Sequence, residues 1–255
     1  MIHVRVERRN DGTIGVLTLA RPEKKNALDR AMADALVAGL AEFKSDQTVR
    51  VVLLNADGAD FCAGADLAAL GAMIDLGPEA HVADAESLVR VFIALRDLPQ
   101  PVIAAVQGHA LAAGAGLATA ADIILAREDA RIGYPEVRIG FVPAMTLPML
   151  RLAVGEKIAA ELVLTGRTLM PAEALALGLV SRVIPSASWE EGIRTTLDRI
   201  ASSPTGPMRI TKHLLYALDD LTFDDGLQLG VQANAAARST EEFRAGIRAF
   251  MTRRP

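Results

Sequence analysis

The first third of the chain changes from strand-like to helix-like spacing of its apolar positions. Residues 3–8 alternate apolar and charged side chains, and a second apolar run covers residues 14–20. The turn-forming residues Asn10-Asp11-Gly12 separate the two runs, so the pattern predicts a β-hairpin. Residues 28–43 then predict a helix, because apolar residues recur at helical spacing at Leu28, Met32, Leu36, Leu40 and Phe43.

The rest of the chain alternates short apolar runs with helical patterns. Further strands are predicted at residues 50–54, 101–106, 122–126, 130–134 and 180–184. Helices are predicted over residues 66–97 with an interruption near 77–78, from about residue 113, and over most of the chain after residue 144. Strands that alternate with helices favour an α/β core, which we assign to residues 1–190, with a helical region at 191–255.

Composition and charge narrow the class of protein. The chain has 255 residues, 51% of them apolar, which is typical of a globular protein with a large core. A net charge of −4 argues against a surface built for nucleic acid, and the single cysteine excludes an intrachain disulfide framework. The N-terminus is unlike a signal peptide, and no apolar run reaches the length of a membrane span. We therefore expect a soluble, cytoplasmic protein that binds neither nucleic acid nor membranes.

Two alanine-glycine segments carry the strongest chemical signal. They read Phe61-Cys62-Ala63-Gly64-Ala65-Asp66-Leu67 and Gly108-His109-Ala110-Leu111-Ala112-Ala113-Gly114-Ala115-Gly116. Each follows a predicted strand and leads into a predicted helix, so each places unpaired backbone N–H groups at the start of a helix. Two such segments that face one point would form an oxyanion hole, a pair of donors for a carbonyl oxygen that gains negative charge. Taken singly, each segment is also compatible with a simple tight turn.

Further motifs extend this pattern along nearly the whole chain. They are Arg21-Pro22-Glu23-Lys24-Lys25-Asn26-Ala27-Leu28, Tyr134-Pro135-Glu136-Val137-Arg138-Ile139-Gly140, Ala160-Glu161-Leu162-Val163-Leu164-Thr165-Gly166-Arg167 and Ala174-Leu175-Ala176-Leu177-Gly178-Leu179-Val180. In this order and at this spacing, with the two alanine-glycine segments, they resemble the enoyl-CoA hydratase/isomerase (crotonase) superfamily. The resemblance implies a crotonase-like α/β spiral of ββα units. It also implies that the helical C-terminal region serves oligomerisation, in a homotrimer or a homohexamer.

The resemblance also implies the roles of individual residues in catalysis. The oxyanion donors would be the N–H groups of Ala65 and Ala113, or of Gly114 if the register of the second segment shifts by one residue. Glu136 matches the glutamate that exchanges a proton with the α-carbon of the thioester. A second glutamate, which activates water in two-glutamate hydratases, is replaced here by Gly116. Burial after Pro135 would raise the pKa of Glu136 and make it a better acid.

Binding of the coenzyme A part of the substrate is expected from a separate set of residues. Lys24 and Lys25 adjoin the first motif and Arg253 lies near the C-terminus, where cations suit phosphates. The resemblance places the carbonyl of Ala63 beside the adenine, and it places an acid at Asp66, which also fits a helix cap. Coenzyme A enters as part of the substrate, so no separate cofactor is expected. The four histidines and one cysteine show no metal-ligand spacing.

A single glutamate leaves the reaction open between two chemistries. In hydration, Glu136 would protonate C2 while another group or the backbone holds the water. In isomerisation, Glu136 would take a proton from C2 and return it at C4, and Gly116 favours this reaction. Residues 140–150 instead resemble a bacterial branch named for hydratases, in which glycine also tends to replace the first glutamate. We therefore expect an enoyl-CoA hydratase, with a delta3-delta2-enoyl-CoA isomerase as the alternative.

Other interpretations of these residues are less favourable. A CoA-binding protein without catalysis would explain the missing glutamate but not the retained Glu136. A serine protease of the distantly related Clp type needs a serine on the second segment, and residues 112–116 contain none. Cys62 has no role in the family and is expected to be an inert small side chain. His109 lies where the family usually has an apolar or aromatic residue, so we expect a structural role for it.

Overall fold

The fold begins with the predicted hairpin. The computed structural model describes residues 3–252. Strands β1 (Val4–Arg9) and β2 (Ile14–Leu19) pair antiparallel. Asn10 and Asp11 both have positive φ, the conformation that short hairpin turns require and that asparagine and aspartate tolerate. The hairpin prediction is confirmed.

Seven more strands complete two sheets. They are β3 (Val51–Ala56), β4 (Val102–Val106), β5 (His109–Leu111), β6 (Ile123–Arg127), β7 (Arg131–Gly133), β8 (Thr168–Leu169) and β9 (Arg182–Ile184). The larger sheet has the order β1-β2-β3-β4-β6-β9, and every pairing after the hairpin is parallel. The smaller sheet has the order β5-β7-β8. The predicted α/β class is confirmed.

Eleven α-helices are present in the described part of the chain. They are α1 (Arg30–Ser45), α2 (Leu67–Ala72), α3 (Pro78–Asp97), α4 (Ala113–Ala120), α5 (Leu147–Val154), α6 (Glu156–Thr165), α7 (Pro171–Ala176), α8 (Trp189–Ala201), α9 (Thr205–Ala217), α10 (Phe223–Arg238) and α11 (Glu241–Thr252). The interruption predicted near 77–78 is confirmed, because α3 begins at Pro78. The predicted boundary at residue 190 falls at the start of α8, and the division into two regions stays a prediction.

Two short strands were not predicted. β5 lies inside the second alanine-glycine segment, which the sequence predicts as a loop, and it pairs with β7. β8 has two residues and pairs antiparallel with β7. Strands of two or three residues are too short to show an alternating pattern of apolar residues. They form because of hydrogen bonds to neighbouring strands, which the local sequence does not reveal.

The larger sheet is covered by apolar side chains on both faces at its inner strands β2 and β3. Met32, Leu36 and Phe43 of α1 are buried on one side with Leu17 and Leu54 of the sheet. The other face carries Ile14, Val16, Val51 and Leu53, against which Trp189, Ile193 and Leu197 of α8 pack. Burial on both faces explains why these strands read as continuous apolar runs rather than as alternating ones.

A buried lysine fastens α9 to the core. The Nζ atom of Lys212 lies 2.8 Å from a carboxylate oxygen of Asp122, and it donates to the carbonyl oxygens of Leu95 and Gln100 at 3.1 and 3.0 Å. The hydroxyl of Tyr216 donates to the other Asp122 oxygen at 2.5 Å. Burial lowers the pKa of Lys212, and the nearby Asp122 carboxylate opposes that shift. The lysine therefore joins α9 to the end of α3 and to β4 and β6.

Candidate active site

The first alanine-glycine segment leaves the N–H of Ala65 free. Leu28 uses both of its backbone groups on this segment: its N–H donates to the Gly64 carbonyl at 2.7 Å, and its carbonyl accepts from the Asp66 N–H at 2.8 Å. In this parallel bridge the backbone groups of Ala65 point away from Leu28. Within residues 3–252 no acceptor pairs with the Ala65 N–H. Ala65 therefore keeps the donor that an oxyanion hole requires.

Asp66 anchors this segment rather than leaving its carboxylate free. One carboxylate oxygen accepts from the N–H of Ala68 at 2.8 Å and caps α2, and the other accepts from Arg21 at 2.7 Å. Burial would raise the pKa of Asp66, but these hydrogen bonds outweigh it and hold the pKa below its usual value. Arg21 also pairs with Asp29, the N-cap of α1, at 2.8 Å. The cap expected at Asp66 is confirmed.

The second segment turns sharply into α4. Ala112 is the N-cap of this helix and has φ 51 and ψ −122, a conformation that residues with a side chain rarely adopt. The N–H of Gly116 closes the first helical turn by donating to the Ala112 carbonyl at 3.0 Å. The N–H groups of Ala113 and Gly114 in that turn have no acceptor in the part of the chain that the structure describes. Both are thus available as donors at the positive end of the helix.

Backbone hydrogen bonds hold the two segments side by side. The N–H of Cys62 donates to the His109 carbonyl at 2.9 Å, and the N–H of Leu111 donates to the Cys62 carbonyl at 3.0 Å. Beyond this pairing, a Cβ placed on Gly64 would lie 3.0 Å from the Cβ of Ala112. The arrangement brings the free donors of both segments to the same end of the small sheet. It supports the predicted oxyanion pair, which stays a prediction.

Glu136 is a buried acid with an unused oxygen. It begins a 3₁₀ turn, Glu136–Ile139, directly after β7, and its side chain is 6% exposed. Its Oε2 atom is buried and has no hydrogen-bond partner within residues 3–252. Burial raises the pKa of Glu136 above its ordinary value, and a hydrogen bond to its own backbone only partly opposes this. The burial expected from the sequence is confirmed, and a carboxyl with a raised pKa is a better proton donor than an ordinary one.

A pair of hydroxyl groups connects the end of β7, just before Glu136, to helix α4. The hydroxyl oxygens of Tyr134 and Thr119 lie 2.6 Å apart, and Thr119 also donates to the carbonyl of Ala115 in α4 at 2.7 Å. Burial raises the pKa of Tyr134, so its hydroxyl stays protonated. Neither residue was singled out from the sequence. The position of Tyr134 at the end of the strand predicted over residues 130–134 is the signal that would have suggested it, because a buried hydroxyl needs a partner.

The space beside Gly116 is filled by two other side chains. A Cβ at this position would lie 2.5 Å from the Thr146 Cγ2 atom and 2.9 Å from the Phe92 Cζ atom. Thr146 and Phe92 are both buried, and the Thr146 hydroxyl donates to the Pro143 carbonyl at 3.1 Å. Gly116 is therefore a packing position as well as the place of the missing glutamate. Neither Phe92 nor Thr146 could be predicted from the sequence, because they come from distant elements.

The candidate residues for binding coenzyme A lie at the surface where the structure describes them. Lys24 ends a 3₁₀ turn, Pro22–Lys24, and Lys25 follows it with φ 50. Both are exposed. The carbonyl of Lys25 accepts from the N–H of Ala63 at 3.0 Å, so the lysines lie beside the first alanine-glycine segment. The prediction for Arg253 lies outside the described residues.

Cys62 and His109 differ sharply in their surroundings. Cys62 is buried, and burial raises the pKa of its thiol to about 12, which agrees with an inert side chain. His109 is 46% exposed, and its Nδ1 atom lies 2.6 Å from a carboxylate oxygen of Asp60.

Between His3 and Thr252 no cluster of metal-ligating side chains is found, and no helix there is both long and apolar enough to cross a membrane.

Comparison with known proteins extends the likeness to the whole chain. The sequence pattern of the enoyl-CoA hydratase/isomerase family matches residues 9–255. A Thermus thermophilus protein named "Putative enoyl-CoA hydratase" is 43% identical over 244 residues, which cover 96% of each chain. The 2,3-dehydroadipyl-CoA hydratase of Escherichia coli is 32% identical over 94% of this chain and 92% of its own.

Solved structures show the same relationship. The crystal structure of an enoyl-CoA hydratase from Mycobacterium smegmatis superposes with a TM-score of 0.95 at 29% sequence identity, covering 100% of this chain and 98% of that one. A human enoyl-CoA hydratase domain-containing protein gives a TM-score of 0.94 at 28% identity over 100% of this chain and 99% of that one. The chain has the crotonase fold and belongs to the enoyl-CoA hydratase/isomerase family.

Proposed function

We propose that this protein is an enoyl-CoA hydratase that adds water to a 2-enoyl-CoA thioester. The observation that carries the proposal is Glu136, a buried carboxyl with a raised pKa and an unpartnered oxygen. It follows the strand that runs beside the oxyanion segments, since β7 pairs with β5. The relatives named as hydratases cover almost the full length of the chain and support the same reaction.

In the proposed reaction the thioester oxygen accepts hydrogen bonds from Ala65 and Ala113. These two donors stabilise the negative charge of an enolate when the water oxygen bonds to C3 and the C2–C3 double bond opens. Glu136 in its protonated form then gives a proton to C2. The proton that leaves the attacking water restores the acid, so one carboxyl completes the cycle.

An isomerase is the second candidate, and Gly116 favours it. The side-chain space at this position is filled by Phe92 and Thr146, so no carboxylate extends from it to activate water. Glu136 would then begin as a carboxylate, remove a proton from C2 of a 3-enoyl-CoA and return it at C4. This reaction needs the same two donors and no water base.

One experiment distinguishes the hydratase, the isomerase and a CoA-binding protein without catalytic activity. The purified protein is incubated in deuterium oxide with crotonyl-CoA and, separately, with 3-hexenoyl-CoA, and the products are analysed by mass spectrometry. A 3-hydroxyacyl-CoA with deuterium at C2 supports hydration, and 2-hexenoyl-CoA without hydroxylated product supports isomerisation. If both thioesters bind and neither reacts, the chain is a CoA-binding protein and the proposal is wrong.

Coenzyme A recognition is proposed to use surface cations near the first oxyanion segment. Lys24 and Lys25 are exposed and neither forms an ion pair within the described residues, so both are available for phosphates. Asp66 and Ala63 stay candidates for the same region, although the Asp66 carboxylate already caps α2.

No cofactor other than the coenzyme A of the substrate is proposed, and a cytoplasmic location remains a prediction from the sequence.

The assembly proposed is a homotrimer or a homohexamer. Helix α11 has no buried residue, yet it carries Phe243, Ile247, Phe250 and Met251 with large exposed fractions. Residues spaced by three or four lie on one helix face, so α11 presents an apolar stripe that a neighbouring copy would cover. Sedimentation of the purified protein tests the proposal, and a monomer at micromolar concentration would contradict it.

A further inference from the structure

The side chains of Asp60 and His109 join the two oxyanion segments where each of them begins. Asp60 directly precedes Phe61, and His109 is the second residue of the other segment. One Asp60 oxygen, Oδ1, lies 2.6 Å from the His109 Nδ1 atom and accepts from the His109 backbone N–H at 3.0 Å. A single carboxylate oxygen thus bonds twice to the same residue across the boundary between the segments.

The backbone is shaped for this contact. Gly108 has φ 55, and a Cβ there would lie 2.1 Å from the Ala59 carbonyl oxygen and 2.8 Å from Asp60 Oδ1. Only glycine allows so close an approach, because any side chain would collide with backbone. Burial would raise the pKa of Asp60, but the bonds from His109 and the nearby charge of Lys25 hold it below its usual value. Asp60 is therefore a charged acceptor at neutral pH.

The contact lies at the start of the path to both candidate donors. Ala65 lies five residues after Asp60, and Ala113 lies four residues after His109. Between these positions, Cys62 of the first segment is hydrogen-bonded to His109 and Leu111 of the second. The hydrogen bonds between Cys62 and the second segment begin directly after the Asp60–His109 contact. A shift at this point would change the distance between the two donors, since no residue of another element separates the segments there.

We propose that Asp60 and His109 are positioning residues that set the spacing of the two oxyanion donors. The inference rests on the proposed function, because it concerns the donors that hold the thioester oxygen. Neither side chain needs to touch the substrate. Their effect is on the transition state, because a misplaced donor loses most where negative charge is greatest.

The test compares variants that differ in where residue 109 carries a hydrogen-bond donor. The amide nitrogen of asparagine falls close to the place of histidine Nδ1, whereas that of glutamine falls close to the place of Nε2. We expect His109→Asn to keep kcat within about threefold of wild type, while His109→Gln and His109→Ala lower it about 5- to 20-fold. Asp60→Ala loses both bonds to residue 109 and is expected to lower kcat about 10²-fold.

The controls separate positioning from general damage to the protein. KM for crotonyl-CoA should stay within about threefold of wild type in every variant, because the proposed positioning affects the transition state and not binding of the substrate in its ground state. Asp60→Ala/His109→Ala should be no slower than Asp60→Ala alone, since one interaction is removed in both. Asp57→Ala removes an acid from the same loop whose partner is Arg5, and its kcat should match wild type. All rates are measured below the melting temperature of each variant.

A second measurement tests the roles of Asp60 and His109 whether the protein is a hydratase or an isomerase. Exchange of the C2 protons of butyryl-CoA in deuterium oxide reports enolate formation without hydration or isomerisation. If wild type exchanges these protons but does not hydrate crotonyl-CoA, hydration is wrong, and the same variants still test the pair through their exchange rates. The inference is overturned if His109→Gln and Asp60→Ala exchange at the wild-type rate, or if His109→Asn is as slow as His109→Ala.

Discussion

Gly114 lies directly against Cys62, with no room for a side chain between them. A Cβ on Gly114 would be 2.3 Å from the Cys62 carbonyl oxygen and 2.8 Å from the Cys62 Cβ. The start of α4 therefore packs on the backbone of the first alanine-glycine segment. Since backbone meets backbone here, the relative position of the two segments does not depend on flexible side chains at this contact.

The first prediction concerns the donors themselves. Ala65→Pro and Ala113→Pro each remove one N–H, because proline has none. Each is expected to lower turnover of crotonyl-CoA about 10²- to 10³-fold, the usual loss for one oxyanion donor. Ala113 is the first residue of α4, a position that accepts proline, so this variant is expected to fold.

A matched proline distinguishes lost donors from a disturbed backbone. Glu156 is exposed and is the first residue of α6, after an N-cap that also has positive φ, and Glu156→Pro should retain turnover. Circular dichroism and sedimentation establish that each variant is folded and assembled as wild type is. If folded Ala113→Pro works at close to the wild-type rate, the register of the second segment has been assigned incorrectly.

Glu136→Gln tests proton transfer. The amide keeps the size of the side chain but exchanges no proton, so turnover should fall about 10²- to 10⁴-fold or more. Binding of the thioester, measured by calorimetry with butyryl-CoA, should change little, because the proposed role of Glu136 is at C2 and not at coenzyme A. A variant that retains turnover within a few-fold would remove Glu136 from the mechanism.

The pH dependence of kcat/KM separates the two reactions. Burial raises the pKa of Glu136. Hydration uses the protonated acid, so kcat/KM for crotonyl-CoA should be highest below this raised pKa and fall as the pH increases through it. Isomerisation begins from the carboxylate, so kcat/KM for 3-hexenoyl-CoA should rise with pH over the same interval. A profile for crotonyl-CoA that rises with pH would contradict the proposed role of the acid.

The strained backbone at Ala112 predicts a gain in stability. Its φ of 51 with ψ of −122 is a conformation that glycine adopts readily. Ala112→Gly should relieve strain of about 1–3 kcal/mol at an entropic cost of about 0.5–1 kcal/mol, giving a net gain of about 1 kcal/mol in the free energy of unfolding. The urea midpoint measures it. Ala41→Gly, on the exposed face of α1, should instead lose about 1 kcal/mol.

Restoring a glutamate at position 116 requires space. Gly116→Glu alone should destabilise the protein by about 1–3 kcal/mol, because its Cβ would collide with Thr146 Cγ2. Thr146→Ser removes that methyl group and keeps the hydroxyl, so the double variant should recover part of the loss. In a folded double variant, the ratio of hydration to isomerisation on one acyl chain should rise above wild type. An unchanged ratio would show that position 116 does not approach the reacting carbons.

The parts of the fold that could be predicted are those in which local pattern and burial agree. The hairpin around Asn10 and the helix that buries Met32 show clear periods. The strand at Val51 begins with four buried apolar residues because both of its faces are covered. The strand β5 escaped prediction because only its partners β7 and Cys62 define it.

The site divides in the same way. Glu136 and the alanine-glycine segments are visible in the sequence, because each motif is local and continuous. Phe92 and Thr146 approach Gly116 only after the chain has folded, and the contact of Asp60 with His109 joins residues 49 positions apart. Contacts between distant positions leave no trace in a single sequence, since neither residue is unusual where it stands.

The buried Lys212 makes the C-terminal helices inseparable from the core. If the chain were cut before α9, the Asp122 carboxylate would lose both Lys212 and Tyr216, and the carbonyl groups of Leu95 and Gln100 would lose their donor. A replacement helix that covered Asp122 without supplying a lysine would leave this largely buried carboxylate without its charged partner, which is strongly unfavourable. Exchange of the C-terminal fifth of the chain, from α9 onward, between relatives should therefore preserve stability only where recipient and donor share this acid and this lysine. The last helices and the strands that they contact therefore depend on the same buried charges.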